Sequence, residues 1–398
     1  MHQRVIIDWS EETGRLKRGI GDEASEKFMK DSDVEVVSKA GPLEKAGHAL
    51  LRRMGPTCPD GTSLEDQRVL TDEEQLQLRN IVRWTVFRAG LVGALSACAA
   101  AIAAVYAEQW FPDNKIYYWL LFGGISALAA MFEVGFLYYD SLRAVHRISN
   151  ACDVELFPEG DDRSAMAGVM VRAAMELPNP PDSDPYVNPF REASKLKILL
   201  GVLMYKGKVL VSNALAKVLI RKIFARGAAR AWLEFVAVPV TAIWNAVICF
   251  WVLREARVRA IGPSAILESL PVMLENASPE LAASAQRAVG CCVAASRDLH
   301  PNHLQMLVWM RQSSGVKVTD EPEDRARFQQ SLDGLDEVER RVAVDVFAMA
   351  AIIDGRVSAR ERKLLEKIAG NEVANSLRSR LHDFRMGRGL GSITAEQS

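Results

Sequence analysis

Two glutamates, Glu133 and Glu234, interrupt apolar stretches of the sequence and are its first candidates for chemistry. An ionisable side chain inside a hydrocarbon layer is costly, so it usually serves as a structural pair or as part of an ion or proton path. In an antiparallel helix pair, Arg88 lies within reach of Glu133. A structural pair is therefore the favoured interpretation, and an ion or proton path is the alternative.

Two histidines, His300 and His303, are a second candidate because they lie one helical turn apart, with Asp298 and the adjacent Cys291 and Cys292 nearby. Zinc sites are built from such ligands. No second ligand pair follows at a fixed spacing, so the sequence does not favour a zinc site. The sequence also lacks a Walker loop, a GxSxG elbow, an HExxH motif and a dinucleotide fingerprint. We therefore predict a protein that is not an enzyme.

The elements that must position the glutamates begin with two apolar helices joined by a polar link at residues 108–115. Residues 89–107 contain no charged side chain, and a helix of that length spans roughly 28 Å, close to the thickness of a hydrocarbon core. Residues 116–132 form the second helix, with aromatic rings near both ends, as is typical of membrane interfaces. Residues 71–150 are thus predicted to be a membrane hairpin with cytosolic helical extensions; an Ala-rich buried helix pair in a soluble protein is the alternative.

Basic residues set the predicted orientation of this hairpin. Arginines stand at both of its ends, whereas the link carries Glu108, Asp113 and only Lys115. Because cytoplasmic loops are rich in Lys and Arg, the link should face outward. Small residues from Gly90 to Ala104 leave a face on which the second helix or another copy can pack closely. We predict a multi-pass protein of a bacterial inner membrane, with cytoplasmic N- and C-termini, that associates with the lipid bilayer and forms a homo-oligomer.

Residues 194–261 are predicted to combine a basic helix with an apolar membrane segment. Basic side chains on opposite faces place the basic helix at the cytoplasmic headgroup layer. They are Lys197, Lys206, Lys208, Lys217, Arg221 and Lys222. Residues 231–253 are long and apolar enough to cross, with Pro239 as a kink. Because the domain that follows is expected in the cytosol, the chain must cross the membrane an even number of times. Either residues 194–224 form a shielded third span, or residues 231–253 are re-entrant. The first of these, in which the two segments cross as a pair, is favoured.

The remaining domains follow from composition. Residues 1–70 are a polar arm with a short amphipathic helix starting at Pro42, and residues 151–193 are a Pro-rich connector with one short helix. Residues 262–385 are a helical domain, and residues 386–398 are a flexible tail. The net charge of −1 gives no indication of nucleic-acid binding, and six cysteines without a CxxC pair predict reduced thiols.

The C-terminal domain contains two similar helix-turn-helix patterns. In the second, a helix ends at Asp354, Gly355 supplies a left-handed cap, and a capping box that includes Glu361 begins the next helix. In the first, Ser296 falls on Asp354 and His303 on Glu361, at an offset of 354 − 296 = 58. A decayed duplication that gives two packed hairpins is the prediction, and chance similarity is the alternative.

The second pattern reads Ala351-Ile-Ile-Asp354-Gly355-Arg-Val357-Ser358-Ala-Arg-Glu361, behind an Ala-rich helix and ahead of a Leu-rich one. It resembles the TerB-like (tellurite-resistance) domain, with a resemblance that covers residues 262–384 at most and is specific only over residues 346–370. The resemblance implies an all-α domain of duplicated architecture, often fused to membrane segments and linked to envelope stress or metal-ion responses. It also implies that Asp354 and Glu361 bind a divalent metal. Helix capping is nevertheless the favoured role of these two residues.

The favoured function is a non-enzymatic integral membrane scaffold or adaptor. Its all-α architecture would join helical membrane segments to a C-terminal cytosolic TerB-like domain that recruits an unknown protein partner, and no nucleic acid. An oligomeric ion channel or transporter that uses Glu133 and Glu234 is the alternative. Apart from the divalent metal, no cofactor is expected.

Overall fold

The computed structural model describes residues 41–55, 70–157, 165–177, 179, 184, 186–189, 235 and 237–388. Within these ranges the fold is all-helical, without strands, as the sequence predicts. The helices are α1 (Pro42–Arg53), α2 (Asp72–Trp110), α3 (Lys115–Ala151), α4 (Ala165–Ala174), α5 (Ala237–Met273), α6 (Pro279–Ser296), α7 (Pro301–Ser314), α8 (Arg325–Asp333), α9 (Glu337–Ile353) and α10 (Ala359–Met386).

Several predicted features lie outside the described residues. They are the polar arm before residue 41, Glu234, the tail after residue 388, and the basic helix with Lys197, Lys206, Lys208, Lys217, Arg221 and Lys222. The predicted pairing of residues 194–224 with the following membrane segment is among them. The short helices expected at Pro42 and in the connector are confirmed as α1 and α4.

Three helices, α2, α3 and α5, are long and apolar enough to cross a membrane, which indicates a membrane protein. α2 begins at the predicted capping box, where Thr71 N–H donates to Glu74 Oε2 at 2.7 Å and Glu74 N–H donates to Thr71 Oγ1 at 3.3 Å. Its 39 residues make one helix of roughly 58 Å, well beyond the roughly 30 Å of a hydrocarbon core. α2 therefore extends far past any bilayer that it crosses.

The outer surface of α3 is apolar and exposed. Trp119, Leu120 and Phe132 each expose more than three fifths of their surface, at 63%, 69% and 68%. Contiguous apolar surface of this kind is rare on soluble monomers. It suits a helix that lipid surrounds.

The small-residue face of α2 packs against α5. A Cβ atom on Gly93 would lie 2.5 Å from Asn245 Nδ2 and 3.0 Å from Thr241 O, and one on Gly90 would lie 3.2 Å from Ala242 O. Glycines on α2 therefore allow the backbone of α5 to approach closely, as in other membrane helix pairs. The predicted close packing occurs, and α5 is the helix that uses it.

α5 carries the chain from the apolar run directly into the C-terminal helices. It continues through Gly262 and Pro263 to Met273, so the predicted domain boundary at 261/262 falls inside one helix. Pro239, the predicted kink, lies near the N-terminal bound of the described helix. The N-terminal end of α2 also contacts the C-terminal domain, because Leu70 N–H donates to Gly387 O at 3.1 Å.

The two C-terminal hairpins, α6–α7 and α9–α10, keep the predicted offset where their helices begin and at the turn inside each hairpin. α6 and α9 begin 337 − 279 = 58 residues apart, and α7 and α10 begin 359 − 301 = 58 residues apart. The left-handed residues that end α6 and α9, Arg297 (φ 62°) and Gly355 (φ 74°), are again 58 apart. This repetition supports a duplication. Between the hairpins, Phe328 of α8 stacks on Phe347 at 5.7 Å in the shared core.

We expect Gly93→Ala to lower the thermal unfolding midpoint of the detergent-purified protein by several degrees, corresponding to about 1–3 kcal/mol, because the new methyl group meets Asn245 and the α5 backbone. Gly124→Ala is the matched control, since a Cβ on Gly124 of α3 meets nothing within 4 Å. The control should match the parent or slightly exceed it, because alanine is the better helix former. Equal midpoints for both variants would contradict the α2–α5 packing.

Candidate functional site

The candidate site lies where α5 leaves its apolar run and meets the turns of both hairpins. We call it the α5 junction, made of residues 254–259 of α5, the turns at 298–302 and 354–358, and Arg385. Its closest contact is between Gly355 and Val258: a Cβ on Gly355 would lie 2.5 Å from Val258 Cγ2. Since Gly355 is also left-handed, this position requires glycine for both its conformation and its lack of a side chain.

Glu255 ties both turns to α5. One carboxylate oxygen accepts from Arg259 at 3.1 Å and pairs with His300 Nε2 at 3.1 Å, and the other accepts from Arg356 Nη2 at 3.3 Å. Two guanidinium groups and one imidazole ring thus compensate the energetic cost of burying the Glu255 carboxylate. His300 belongs to the first turn and Arg356 to the second, so a single side chain of α5 holds both hairpins.

Asn302 makes a second, neutral connection at the centre of the junction. Its buried Nδ2 group donates to Val258 O at 3.1 Å and to Ile353 O at 2.8 Å. The amide therefore bridges the backbone of α5 and the end of α9. Because buried carbonyl groups are costly when unsatisfied, this bridge fixes the spacing of the two helices.

The structure brings Asp354 and Glu361 together at the second turn, in capping roles. Asp354 Oδ1 accepts from Arg356 N–H at 2.8 Å, and Glu361 Oε2 accepts from Ser358 N–H at 2.6 Å. Ser358 Oγ accepts in return from Glu361 N–H at 3.2 Å, which confirms the predicted capping box. Glu361 is only 1% exposed, and its Oε1 atom has no hydrogen-bond partner.

Burial dominates the titration of these two acids. It raises the pKa of Glu361 to about 8, with a further contribution from the neighbouring Asp354, and it raises the pKa of Asp354 to about 6. Glu361 is therefore mostly protonated at neutral pH. A neutral carboxyl group is what a buried site with one unpartnered oxygen can hold at the lowest cost.

The duplication explains why position 361 prefers a neutral group. His303, its counterpart in the first hairpin, is fully buried and donates from Nε2 to Ala350 O at 2.8 Å. Burial lowers the pKa of His303, so its ring is neutral. The counterpart of Ala350 is Cys292, and Glu361 lies close enough to Cys292 that its charge, after burial, raises the pKa of that thiol. Each hairpin thus places a polar side chain against the first helix of the other.

The described contacts favour capping over a metal site. In the part of the chain that the structure describes, no three His, Cys, Asp or Glu side chains form a group that could hold a metal ion. Asp354 and Glu361 each use one oxygen on a backbone N–H group, as helix-capping residues do. His300 and His303 have separate partners, with ring centroids 6.2 Å apart, so they do not converge on one zinc position.

The predicted pair between Arg88 and Glu133 is not formed. Arg88 instead binds Asp140 of α3 through Nε at 3.0 Å and Nη2 at 2.9 Å, and also reaches Thr85 at 3.1 Å. The register of α2 and α3 places Arg88 opposite Asp140, which lies two helical turns nearer the predicted cytoplasmic end of α3 than Glu133 does. Glu133 Oε1 accepts from Asn245 Nδ2 at 2.6 Å, which joins α3 to α5.

Sequence reasoning missed the residues that build the junction. The sequence patterns single out none of Arg254, Glu255 and Arg385. A usable signal is the Arg254-Glu255 pair directly after the apolar run, since charges at that point can meet the helical domain that follows. No local pattern connects Arg385 with Gly355.

The raised pKa of Glu361 predicts a pH-dependent stability. Its native state binds a proton more tightly than its unfolded state, so the free energy of unfolding falls as pH rises from about the unfolded value of 4.5 to about 8. We expect Glu361→Gln to remove about 1–3 kcal/mol of this dependence. Its midpoint should match the parent near pH 5 and exceed it near pH 8.

Thermal unfolding of the full chain in detergent, measured across that pH range, tests this expectation. Glu372→Gln is the control, because Glu372 is exposed on the same helix. If Glu361→Gln and the parent lose stability in parallel as the pH rises, Glu361 is ionised in the native state and the assignment is wrong.

The chain matches no protein-family model, no curated protein and no solved structure. The resemblance of residues 351–361 to the TerB-like domain therefore stays a prediction, which rests on that stretch alone. What the structure contributes is the paired hairpins and their attachment to an apolar helix. The geometry of the α5 junction is the basis from which a function can be argued.

Proposed function

We propose that this chain is a non-enzymatic integral membrane adaptor that presents a cytosolic helical domain to a protein partner. One observation carries the proposal: α5 runs without interruption from an apolar segment into the two hairpins. A flexible linker would merely tether a domain, whereas a continuous helix fixes its orientation relative to the membrane. A partner bound to the domain would thus be held in a defined position.

The contacts at the junction support rigid attachment. Glu255, Asn302 and the Gly355–Val258 contact hold both hairpins on α5, and the Leu70–Gly387 hydrogen bond holds the end of α10 at the start of α2. Glu255 binds His300, Arg259 and Arg356, and Asn302 binds two backbone carbonyl groups. This arrangement suits a structural and binding role better than catalysis, which needs a nucleophile or base directed at a substrate.

The proposed setting is the inner membrane of a bacterium, with both termini in the cytoplasm. Support comes from exposed basic residues at the proposed cytoplasmic ends of α2 and α3, against Glu108 and Asp113 between these helices. The basic residues are Arg79, Arg83, Arg143 and Arg147. A role in envelope or metal stress, which the TerB-like resemblance implies, and self-association through the membrane helices belong to the same proposal.

The alternative function is an oligomeric channel or transporter, and the contact between Glu133 and Asn245 favours it. This contact places a carboxylate and an amide between α3 and α5, within the apolar part of the proposed membrane region. Polar groups at such a depth often line ion or proton paths. In the adaptor, the same pair simply holds two helices together.

Labelling of introduced cysteines in intact cells tests the proposed orientation. A membrane-impermeant maleimide should modify Asp113→Cys in the link between α2 and α3, because the link faces outward. It should not modify Glu372→Cys on α10 until the membrane is opened. The parent protein corrects for native thiols. Modification of Glu372→Cys in intact cells would refute a cytosolic C-terminal domain.

Ion flux in liposomes separates the two functions. We expect the purified parent to conduct no ions or protons, and Glu133→Gln to behave in the same way while keeping the amide contact with Asn245. Glu108→Gln serves as a control for a lost charge outside the apolar segment. Flux in the parent and Glu108→Gln that Glu133→Gln abolishes would establish the channel and end the adaptor proposal.

A further inference from the structure

Two arginines from different helices converge on a single backbone carbonyl at the α5 junction. Arg254 donates from Nη2 to Gly355 O at 2.7 Å, and Arg385 donates to the same oxygen from Nε at 3.0 Å and from Nη2 at 2.6 Å. A third guanidinium belongs to Arg356, the next residue of the turn. Arginines often cap the carbonyl groups at the end of a helix. One arginine suffices for that role, so the second needs another explanation.

These guanidinium groups lie close together, with the carboxylates of Glu255 and Asp354 near them. Neither Arg254 nor Arg385 forms an ion pair within the described residues. A guanidinium has five N–H donors, and here Arg254 directs one and Arg385 two at the carbonyl. Burial, followed by the charge of Arg254, lowers the pKa of Arg385; the Asp354 carboxylate opposes this shift, and Arg356 adds to it.

Other arginines beside the junction do have carboxylate partners. Arg172 of α4 binds Glu44 through two hydrogen bonds of 2.8 and 3.0 Å, and Arg259 binds Glu255 at 3.1 Å. Their charges are therefore neutralised inside the protein. The contrast identifies Arg254 and Arg385 as the arginines of the cluster that form no ion pair among the described residues, whereas the 72%-exposed side chain of Arg356 pairs with Glu255 at 3.3 Å.

A cavity of about 790 Å³ opens beside this cluster, with Arg254, Arg356 and Trp251 among its lining residues. Its acidic residues are already engaged. Glu255 binds Arg259, His300 and Arg356; Asp298 accepts from Asn179 at 3.1 Å; Asp354 accepts from the Arg356 backbone; and Glu176 has an interaction of its own. A ligand in the cavity would therefore meet the guanidinium groups of Arg254 and Arg356, while Arg385, which is not among the lining residues, binds the Gly355 carbonyl that Arg254 also binds.

We propose that Arg254, Arg356 and Arg385 form a binding site for a phosphate group at the junction between α5 and the second hairpin. Guanidinium groups bind phosphate oxygens with paired, charge-assisted hydrogen bonds, and clusters of arginine are the usual protein solution for this anion. A bound phosphate would bridge α5 to the α9–α10 hairpin. It would thus tighten the attachment of the cytosolic domain.

Two kinds of ligand carry such a phosphate group: an anionic phospholipid, in its headgroup, and a soluble phosphate ester. Arg254 follows directly on the apolar run that ends at Leu253, and Trp251 is half exposed beside it, which corresponds to the headgroup level of a bilayer. The lipid source rests on the proposed membrane function, whereas the soluble source does not. The experiment therefore has an arm for each.

The first arm uses the full-length protein in a neutral detergent, titrated with glycerol phosphate against chloride at equal ionic strength. We expect a saturable rise in the thermal unfolding midpoint of the parent. The double variant Arg254→Gln/Arg385→Gln should need at least about tenfold more ligand for the same rise, because two charged contacts are lost. Arg340→Gln/Arg378→Gln removes equal charge from exposed positions and should respond like the parent.

The second arm compares nanodiscs of phosphatidylcholine alone with nanodiscs that also contain phosphatidylglycerol. If lipid is the source, the anionic lipid raises the parent midpoint, suppresses its response to glycerol phosphate, and has little effect on the Arg254→Gln/Arg385→Gln variant. A response to glycerol phosphate alone supports the site with a soluble ligand. Equal responses of parent and double variant in both arms, or no response of the parent in either, would overturn it.

Because the detergent arm needs no bilayer, its outcome is independent of the labelling and flux tests. A cytosolic domain found outside the cell would refute the adaptor while leaving the phosphate measurement valid. Conversely, loss of the phosphate response leaves the α5 connection untouched. If the double variant unfolds on purification, Arg356→Gln alone serves instead, since its exposed side chain contributes little to the fold.

Discussion

The contact between Gly355 and Val258 is the constraint on which the position of the C-terminal helical domain depends. With no side chain at residue 355, the left-handed turn lies directly on α5, and its carbonyl comes within reach of Arg254 and Arg385. The same approach allows Arg356 to reach Glu255. A methyl group at this position would separate the second hairpin from α5 and lengthen all of these bonds together. A residue without a side chain therefore sets the geometry of an entire charged cluster.

The duplicated hairpins show how a repeated backbone can acquire different chemistry. Both repeats begin their helices at equivalent positions, yet His303 in one corresponds to Glu361 in the other. Each is buried against the first helix of the opposite hairpin, where a charge would be costly. The imidazole ring of His303 stays neutral and donates to a backbone carbonyl group. The carboxyl group of Glu361 stays neutral by binding a proton. The packing of the pair thus constrains the charge of this position and leaves the residue type free.

Features that depend on a few neighbouring residues were predictable from the sequence. The capping boxes at Thr71 and Ser358, the 58-residue offset and the apolar lengths of α2 and α3 all follow from local rules. Pairing between helices was not predictable, because a shift of one turn moves a side chain by about 5.4 Å. Arg88 therefore meets Asp140 rather than Glu133. The contacts of the α5 junction were not predictable for the same reason, since its residues come from α5, from two turns and from the distant Arg385.

The polar residues of the apolar region connect its interior to the junction. Arg88 and Asp140 neutralise each other, whereas Asn245 satisfies an oxygen of Glu133 without compensating a charge. Gly93 provides the space in which Asn245 can make that bond, so α2, α3 and α5 each contribute one residue. Asn245 lies nine residues before Arg254, which is about 13.5 Å along the helix. A helix is stiff over that distance, so whatever fixes the rotation of α5 at Glu133 also fixes the direction in which Arg254 faces the second hairpin.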